Sequence, residues 1–146
     1  MYKTILVPLD GSRRAEAILP HVEQLALHFK AKVILMQVIE PFYLTGEAVA
    51  PLSQLELDRW EKDAQAYLIA RQHEFQDKGI MTQVRVSQGP VVEMISHVAE
   101  AEDADLIAIA SHGRSGLSRV FYGSVAAGVL QRVDRPLLLI RSRSDT

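Results

Sequence analysis

The sequence contains no cysteine, which excludes a disulfide framework, a thiolate metal site and thiol catalysis together. Such a chain fits a reducing cytosol. It also lacks an excess of either charge sign. Sixteen Lys and Arg against eighteen Asp and Glu leave a formal charge of −2, so no strong basic field exists to collect nucleic acid or an anionic membrane. Long apolar runs are missing too: the run in MYKTILVPLDGS is interrupted within a few residues by Pro8 and Asp10, far short of a signal-peptide core or a membrane span. These absences set the expectation of a soluble, cytoplasmic protein with small-molecule or protein partners. There is no internal repeat, low-complexity tract or Gly/Ser/Pro linker, and 146 residues with 48% hydrophobic and 23% charged side chains are expected to form one domain over residues 1–146.

KTILVPL, residues 3–9, is a β-branched apolar run closed by the turn-forming pair Asp10-Gly11, the pattern of a buried strand. Ser12 is placed to cap a helix beginning just after it. Ala15, Ile18, Leu19, Val22, Leu25, Ala26 and Phe29 recur at helical spacing through SRRAEAILPHVEQLALHFK, with Pro20 inside as a candidate bend. Residues 31–40 repeat the strand pattern. PFYLTGEAVAPLSQ, bounded by Pro41 and Pro51, is expected to be irregular, a length of loop that compact domains usually keep for a lid, a contact or disorder. A helix from about Gln54 to Asp77 is stopped by Lys78-Gly79, IMTQVRVSQG alternates like a strand, and PVVEMISHVAEAE opens with Pro90 at the first helical turn. ADLIAIAS is a nearly continuous apolar strand, a helix comes next from about Gly123, and RPLLLIRS is a last strand. Five strands separated by four helices predict an α/β fold: an open, doubly wound parallel sheet, Rossmann-like, with helices on both faces. Such sheets bind ligands beyond the carboxyl ends of the strands where the winding reverses, which points to the loops after the first and fourth strands.

The second of those loops opens ASHGRSGLSRVFYGSVAAGVL, residues 110–130, which holds four glycines and four serines but neither lysine nor carboxylate. Missing Cβ atoms let backbone N–H groups converge on an anion, and the start of the next helix adds free N–H groups and a positive dipole end. Ser124 can cap that helix or bond a phosphate oxygen. Neither GxxxxGK[ST] nor a strand-following GxGxxG occurs. The loop also lacks the lysine, metal ligands and water-orienting group of phosphoryl transfer, so binding without efficient turnover is expected and no catalytic residue is assigned. His21, His28, His73 and His97 form no metal-binding spacing, and His112 has no acid nearby to orient it.

With ILVPLDGS at one end, the glycine loop, and YGSVAAGVLQRVDRPLLLIR at the other, the chain resembles the universal stress proteins over its whole length. The family's nucleotide motif is Gly-x2-Gly-x9-Gly-[Ser/Thr]. Gly113, the nine residues Arg114 to Tyr122, and Gly123-Ser124 match it, whereas Ala110 stands in place of the first glycine. The resemblance implies an adenine nucleotide alpha hydrolase-like fold that binds ATP, with Mg²⁺ where a cation bridges, and acts as a stress-response sensor or regulator without a prosthetic group. It places Pro8, Leu9 and Asp10 near the adenosine and Val38 at the adenine through its backbone. Gly113, Gly123, Ser124 and Val125 would hold ribose and phosphates. By their own chemistry the loop residues Arg114 and Arg119 either pair with phosphates or stay solvated. Ala110 would occupy the tightest corner, where its methyl is tolerated if its φ is negative and expels the nucleotide if the position needs φ > 0. Asp10 either meets ribose hydroxyls or a Mg²⁺ water, or only organises its own turn with the amides of Gly11 and Ser12. Gly89, in QGPVVEMI, is read as turn geometry.

The last strand, residues 136–141, is too apolar for a bare edge, and the resemblance implies that it pairs with its own copy in a homodimer. Two other readings stay open. One is a dimeric interaction module in which Ala110 closes the cleft to nucleotides; the other is slow ATP hydrolysis or self-phosphorylation on a serine such as Ser124.

Overall fold

A computed structural model describes residues 1–45, 48–111 and 124–142. Five parallel strands form the central sheet: β1 (Thr4–Pro8), β2 (Lys32–Ile39), β5 (Thr82–Gln88), β6 (Leu106–Ala110) and β7 (Leu137–Ile140), in the order β5-β2-β1-β6-β7. The register runs Ile5 against Val33 on one side of β1 and Ile5 against Leu106 on the other. The chain winds outward from β1 to β5 and then crosses back to β6, so the reversal falls between β1 and β6, as the alternation of strands and helices predicts.

Why these strands read as unbroken apolar runs is clear from their two faces. Side chains alternate across a strand, and both faces here are covered. Ile5, Val7, Val33 and Leu35 enter a core with Ile18 and Val22, and with Leu68 and Phe75 of the long helix α2 (Gln54–Asp77). Leu6, Ile34, Met36 and Ile107 enter a second core with Ile95 and Val98 of α3 (Val91–Ala101) and Val129 of α4 (Ser124–Arg132).

Two expectations need correction. The first helical segment is not one helix: a 3-10 turn over Ala15–Ile18 leads into α1 (Leu19–Phe29), and Pro20 sits in the first turn of α1. There its missing N–H was an orphan in any case, so it starts the helix instead of bending it. The cap position of the turn is Arg14, and Ser12 serves the entrance from two residues earlier, its Oγ accepting from the Ala15 amide at 3.2 Å. The supposed irregular loop carries an antiparallel hairpin, β3 (Phe42–Thr45) with β4 (Ala48–Pro51), closed at its base by the Leu52 amide donating to the Pro41 carbonyl at 2.9 Å. Proline at the end of β4 costs no ladder bond, because a strand end or edge has no partner to lose.

The ends of α2 are written in the sequence. Ser53 Oγ accepts from the Glu56 amide at 3.1 Å while Glu56 Oε1 accepts from the Ser53 amide at 3.2 Å, a reciprocal capping box. At the other end Lys78 caps the helix and Gly79 comes next with φ +84°, a conformation glycine adopts without a Cβ penalty. Gly89, at φ +144°, donates to the Ile39 carbonyl at 3.0 Å, and Met94 Sδ lies 3.0 Å from where a Cβ would sit. Turn geometry is a sufficient account of it.

Candidate functional site

A cleft of about 750 Å³ opens at the carboxyl ends of β1, β2 and β6, where the winding reverses. Pro8, Leu9, Asp10 and Gly11 form one lip as the chain leaves β1. Val38 and Ile39 from β2, and Ile109, Ala110 and Ser111 from β6, make the floor. The first turn of α4 contributes Ser124, Val125 and Ala126, backed by Val91 and Ile95 of α3. Seven residues singled out in the sequence therefore border one cavity: Pro8, Leu9, Asp10, Val38, Ala110, Ser124 and Val125. The other three, Gly113, Arg114 and Gly123, lie outside the described residues, as do His112, Ser118 and Arg119.

Asp10 organises its own turn. Its Oδ1 accepts from the Ser12 amide at 2.9 Å and from Ser12 Oγ at 2.6 Å, and Gly11 between them has φ +86°. The carboxylate is thus oriented from behind while the residue still borders the cleft. Ala110 closes β6 opposite Ile140 and is 6% exposed. The non-glycine residues with positive φ are Lys30 and Asp103 among those described, so Ala110 holds an ordinary strand conformation and its methyl meets the condition for being tolerated. Next to it, buried Ser111 donates its amide to the Ile140 carbonyl at 2.7 Å, and its Oγ accepts from the Ser142 amide at 3.0 Å. Ser142 Oγ in turn donates to the Arg14 carbonyl at 2.7 Å, which ties the floor of the cleft to the turn after β1.

The charge of the cleft is one-sided. Among the described residues its charged side chains are Asp10, Glu40 and Asp63, with no Lys, Arg or His. No cluster of three or more His, Cys, Asp or Glu able to hold a metal ion, and no helix long and apolar enough to cross a membrane, occurs among the described residues. Positive potential at this edge comes from the first turn of α4, whose leading amides have no partner within the helix.

Comparison with known proteins settles the ancestry. Residues 1–141 match the universal stress protein family. The chain belongs to that family. Universal stress protein MJ0577 of Methanocaldococcus jannaschii is 28% identical over 158 residues, which cover 99% of this chain and 98% of the relative. Its solved structure superposes with a TM-score of 0.72 at 27% identity, over 99% of both chains. UspA of Lactobacillus plantarum shares the fold with a TM-score of 0.82 at 23% identity, over 96% of this chain and 98% of that one. A universal stress protein solved in complex with cAMP shares it with a TM-score of 0.66, also at 23% identity, over 97% and 98%.

In this universal stress protein the cleft has a wall that sequence reasoning missed. Trp60, Asp63, Ala64 and Tyr67 of α2 border it, together with Gln37, Glu40 and Phe42. The signal was present: positions 60, 63, 64 and 67 follow the i, i+3, i+4, i+7 rule for one helix face. Tyr67 is pinned there by a short hydrogen bond from its hydroxyl to the Glu16 carboxylate. Arg71 pairs with the same carboxylate at 3.4 Å and with Glu74 at 3.0 Å, and its guanidinium lies over the Tyr67 ring.

Burial pushes the Tyr67 phenol well above the usual tyrosine range, and its bond to Glu16 and that group's negative charge push it further. Because the folded pKa is raised, the stabilisation is fully present below the ordinary value of 10.0 and is lost as pH rises above it. Wild-type stability should fall with pH above about 10, and Tyr67→Phe should remove this group's share of that fall. Urea midpoints between about pH 8 and 11 check it; equal slopes in the two proteins would contradict it.

Proposed function

We propose that this universal stress protein binds an adenine nucleotide, ATP or AMP, in the cleft at the switch point and works as a sensor or regulator without rapid turnover. One observation carries the reading: the seven described residues that the family resemblance assigns to nucleotide contact border one cavity, which runs onto the first turn of α4. Helix N-termini attract phosphate through free amides and dipole without charged side chains. The carboxylates in the lining repel a bare triphosphate, so a Mg²⁺ bound with the nucleotide would neutralise its charge, and Asp10 would meet ribose hydroxyls or a water of that ion. Slow turnover is expected of a described lining that offers no lysine, arginine or histidine to neutralise charge developing on a transferred phosphoryl group.

Mass spectrometry of the material that the freshly purified protein releases on denaturation, combined with calorimetric titration with ATP and AMP, tests this. Bound adenine nucleotide or saturable heat is expected; no nucleotide and no heat at millimolar ligand would remove the proposal. Because Ala110 holds a strand conformation, Ala110→Gly should change ATP affinity by less than about threefold. A large gain would mean that the methyl blocks the cleft and would favour the interaction-module reading. We further propose a cytoplasmic homodimer built on β7, which lies at the sheet edge with all four residues partly exposed. Sedimentation equilibrium should give a dimer. The Pro136 and Ile140 carbonyls face β6, so the alternate residue Leu139 turns its amide to the open edge, and Leu139→Pro should dissociate the dimer.

A further inference from the structure

The α2 side of the cleft has a chemistry that a triphosphate does not need. Trp60 and Phe42 border it and are 39% and 57% exposed, unusual for large aromatic side chains in a small domain. Tyr67 adds a third ring, one face of which Arg71 covers. Among the described residues the ring pairs are Tyr2 with Phe29 and His28 with Phe29, so Trp60 and Phe42 do not spend their faces on each other. Glu40 and Asp63 lie beside them, and neither has a hydrogen bond or ion pair with a described residue. Gln37 Oε1, on the β2 face that the helix covers, is buried with no hydrogen-bond partner among the described residues. Arg71, whose guanidinium lies over the Tyr67 ring, is paired with Glu16 and Glu74.

Electron-rich ring faces, carboxylates and an unpaired carbonyl oxygen, gathered in one lobe whose described lining holds no Lys, Arg or His, form a receptor for an organic cation. We propose that the α2 lobe of the cleft binds a delocalised or quaternary organic cation. Two sources carry that chemistry. The cation can be tethered to a nucleotide, as the nicotinamide ring of NAD⁺ is, in which case the proposal rests on the nucleotide reading; or it can be a free quaternary ammonium, in which case it does not.

The test compares NAD⁺ with NADH by calorimetry, since their rings differ by the positive charge, and titrates tetramethylammonium chloride against the fluorescence of Trp60. Trp60 is the chain's one tryptophan, so the signal reports this lobe alone. For a tethered cation NAD⁺ should bind about tenfold tighter than NADH, and Trp60→Ala should erase the difference. The melting temperature should report that the variant is folded. For a free cation, tetramethylammonium should change the fluorescence saturably in the wild type. Equal binding of NAD⁺ and NADH with no effect of tetramethylammonium would overturn the proposal, and ATP binding in the same series would leave the nucleotide reading intact. Tetramethylammonium binding with no nucleotide bound would do the reverse.

Discussion

Phe75→Ala should destabilise the protein by about 3–5 kcal/mol. The long helix α2 is poor in apolar anchors: of its 24 residues the buried ones are Ala64, Leu68 and Phe75. Phe75 is 1% exposed and is among the largest fully buried side chains. It packs in the core that also holds Leu68, Ile80 and the sheet residues Val33 and Leu35. Truncation removes the transfer free energy of a benzyl group and leaves a void that a parallel sheet on one side and a helix on the other cannot fill by collapsing. Against a typical total of about 5–15 kcal/mol this is a large fraction. The urea midpoint should fall with little change in slope. Leu55→Ala, at a position 71% exposed, should stay within about 0.5 kcal/mol. A loss below about 1 kcal/mol for Phe75→Ala would contradict the packing of α2 on the sheet, and with it the placement of Trp60, Asp63 and Tyr67 on the cleft.

The second large effect is on binding. Ser124→Asp should weaken ATP on the order of 100-fold while leaving adenosine within about threefold. Ser124 is exposed, begins α4 and borders the cleft. A carboxylate there suits the helix, because negative charge at a helix N-terminus stabilises it by about 0.3–1 kcal/mol. The same charge repels a phosphate about 4 Å away by up to about 4 kcal/mol at an effective dielectric constant near 20. Stability and affinity should therefore move in opposite directions, which separates this effect from simple unfolding. Calorimetry with ATP and adenosine, paired with thermal melts, reads both. Equal losses for the two ligands, or none for ATP, would place the phosphates elsewhere.

The central sheet was legible because its strands are buried on both faces. ILVP in β1, VILM in β2 and LIAIA in β6 have no polar alternation to confuse them with a solvated strand. The floor and lip of the cleft came with the sheet, since residues at the carboxyl ends of strands are located by the strands themselves. The hairpin over Phe42–Pro51 was not legible: its strands have four residues each, and flanking prolines read more readily as loop than as edge. Tyr67 and Glu16 are 51 positions apart, and no local pattern announces that a phenol and a carboxylate meet across two helical segments. The wall of α2 falls between these cases. Its 60, 63, 64, 67 stripe is periodic, but an acid and an alanine within it dilute the apolar signal on which such stripes are recognised.

A crystal structure grown with excess Mg²⁺ and ATP is the most direct test of nucleotide binding at the switch point. Adenine is expected beside Val38 and the phosphates against the amides at the start of α4, with Asp10 facing ribose or a metal-bound water. A cleft left empty at millimolar nucleotide, or occupied by nucleotide in another orientation with its phosphates away from Ser124, would contradict it.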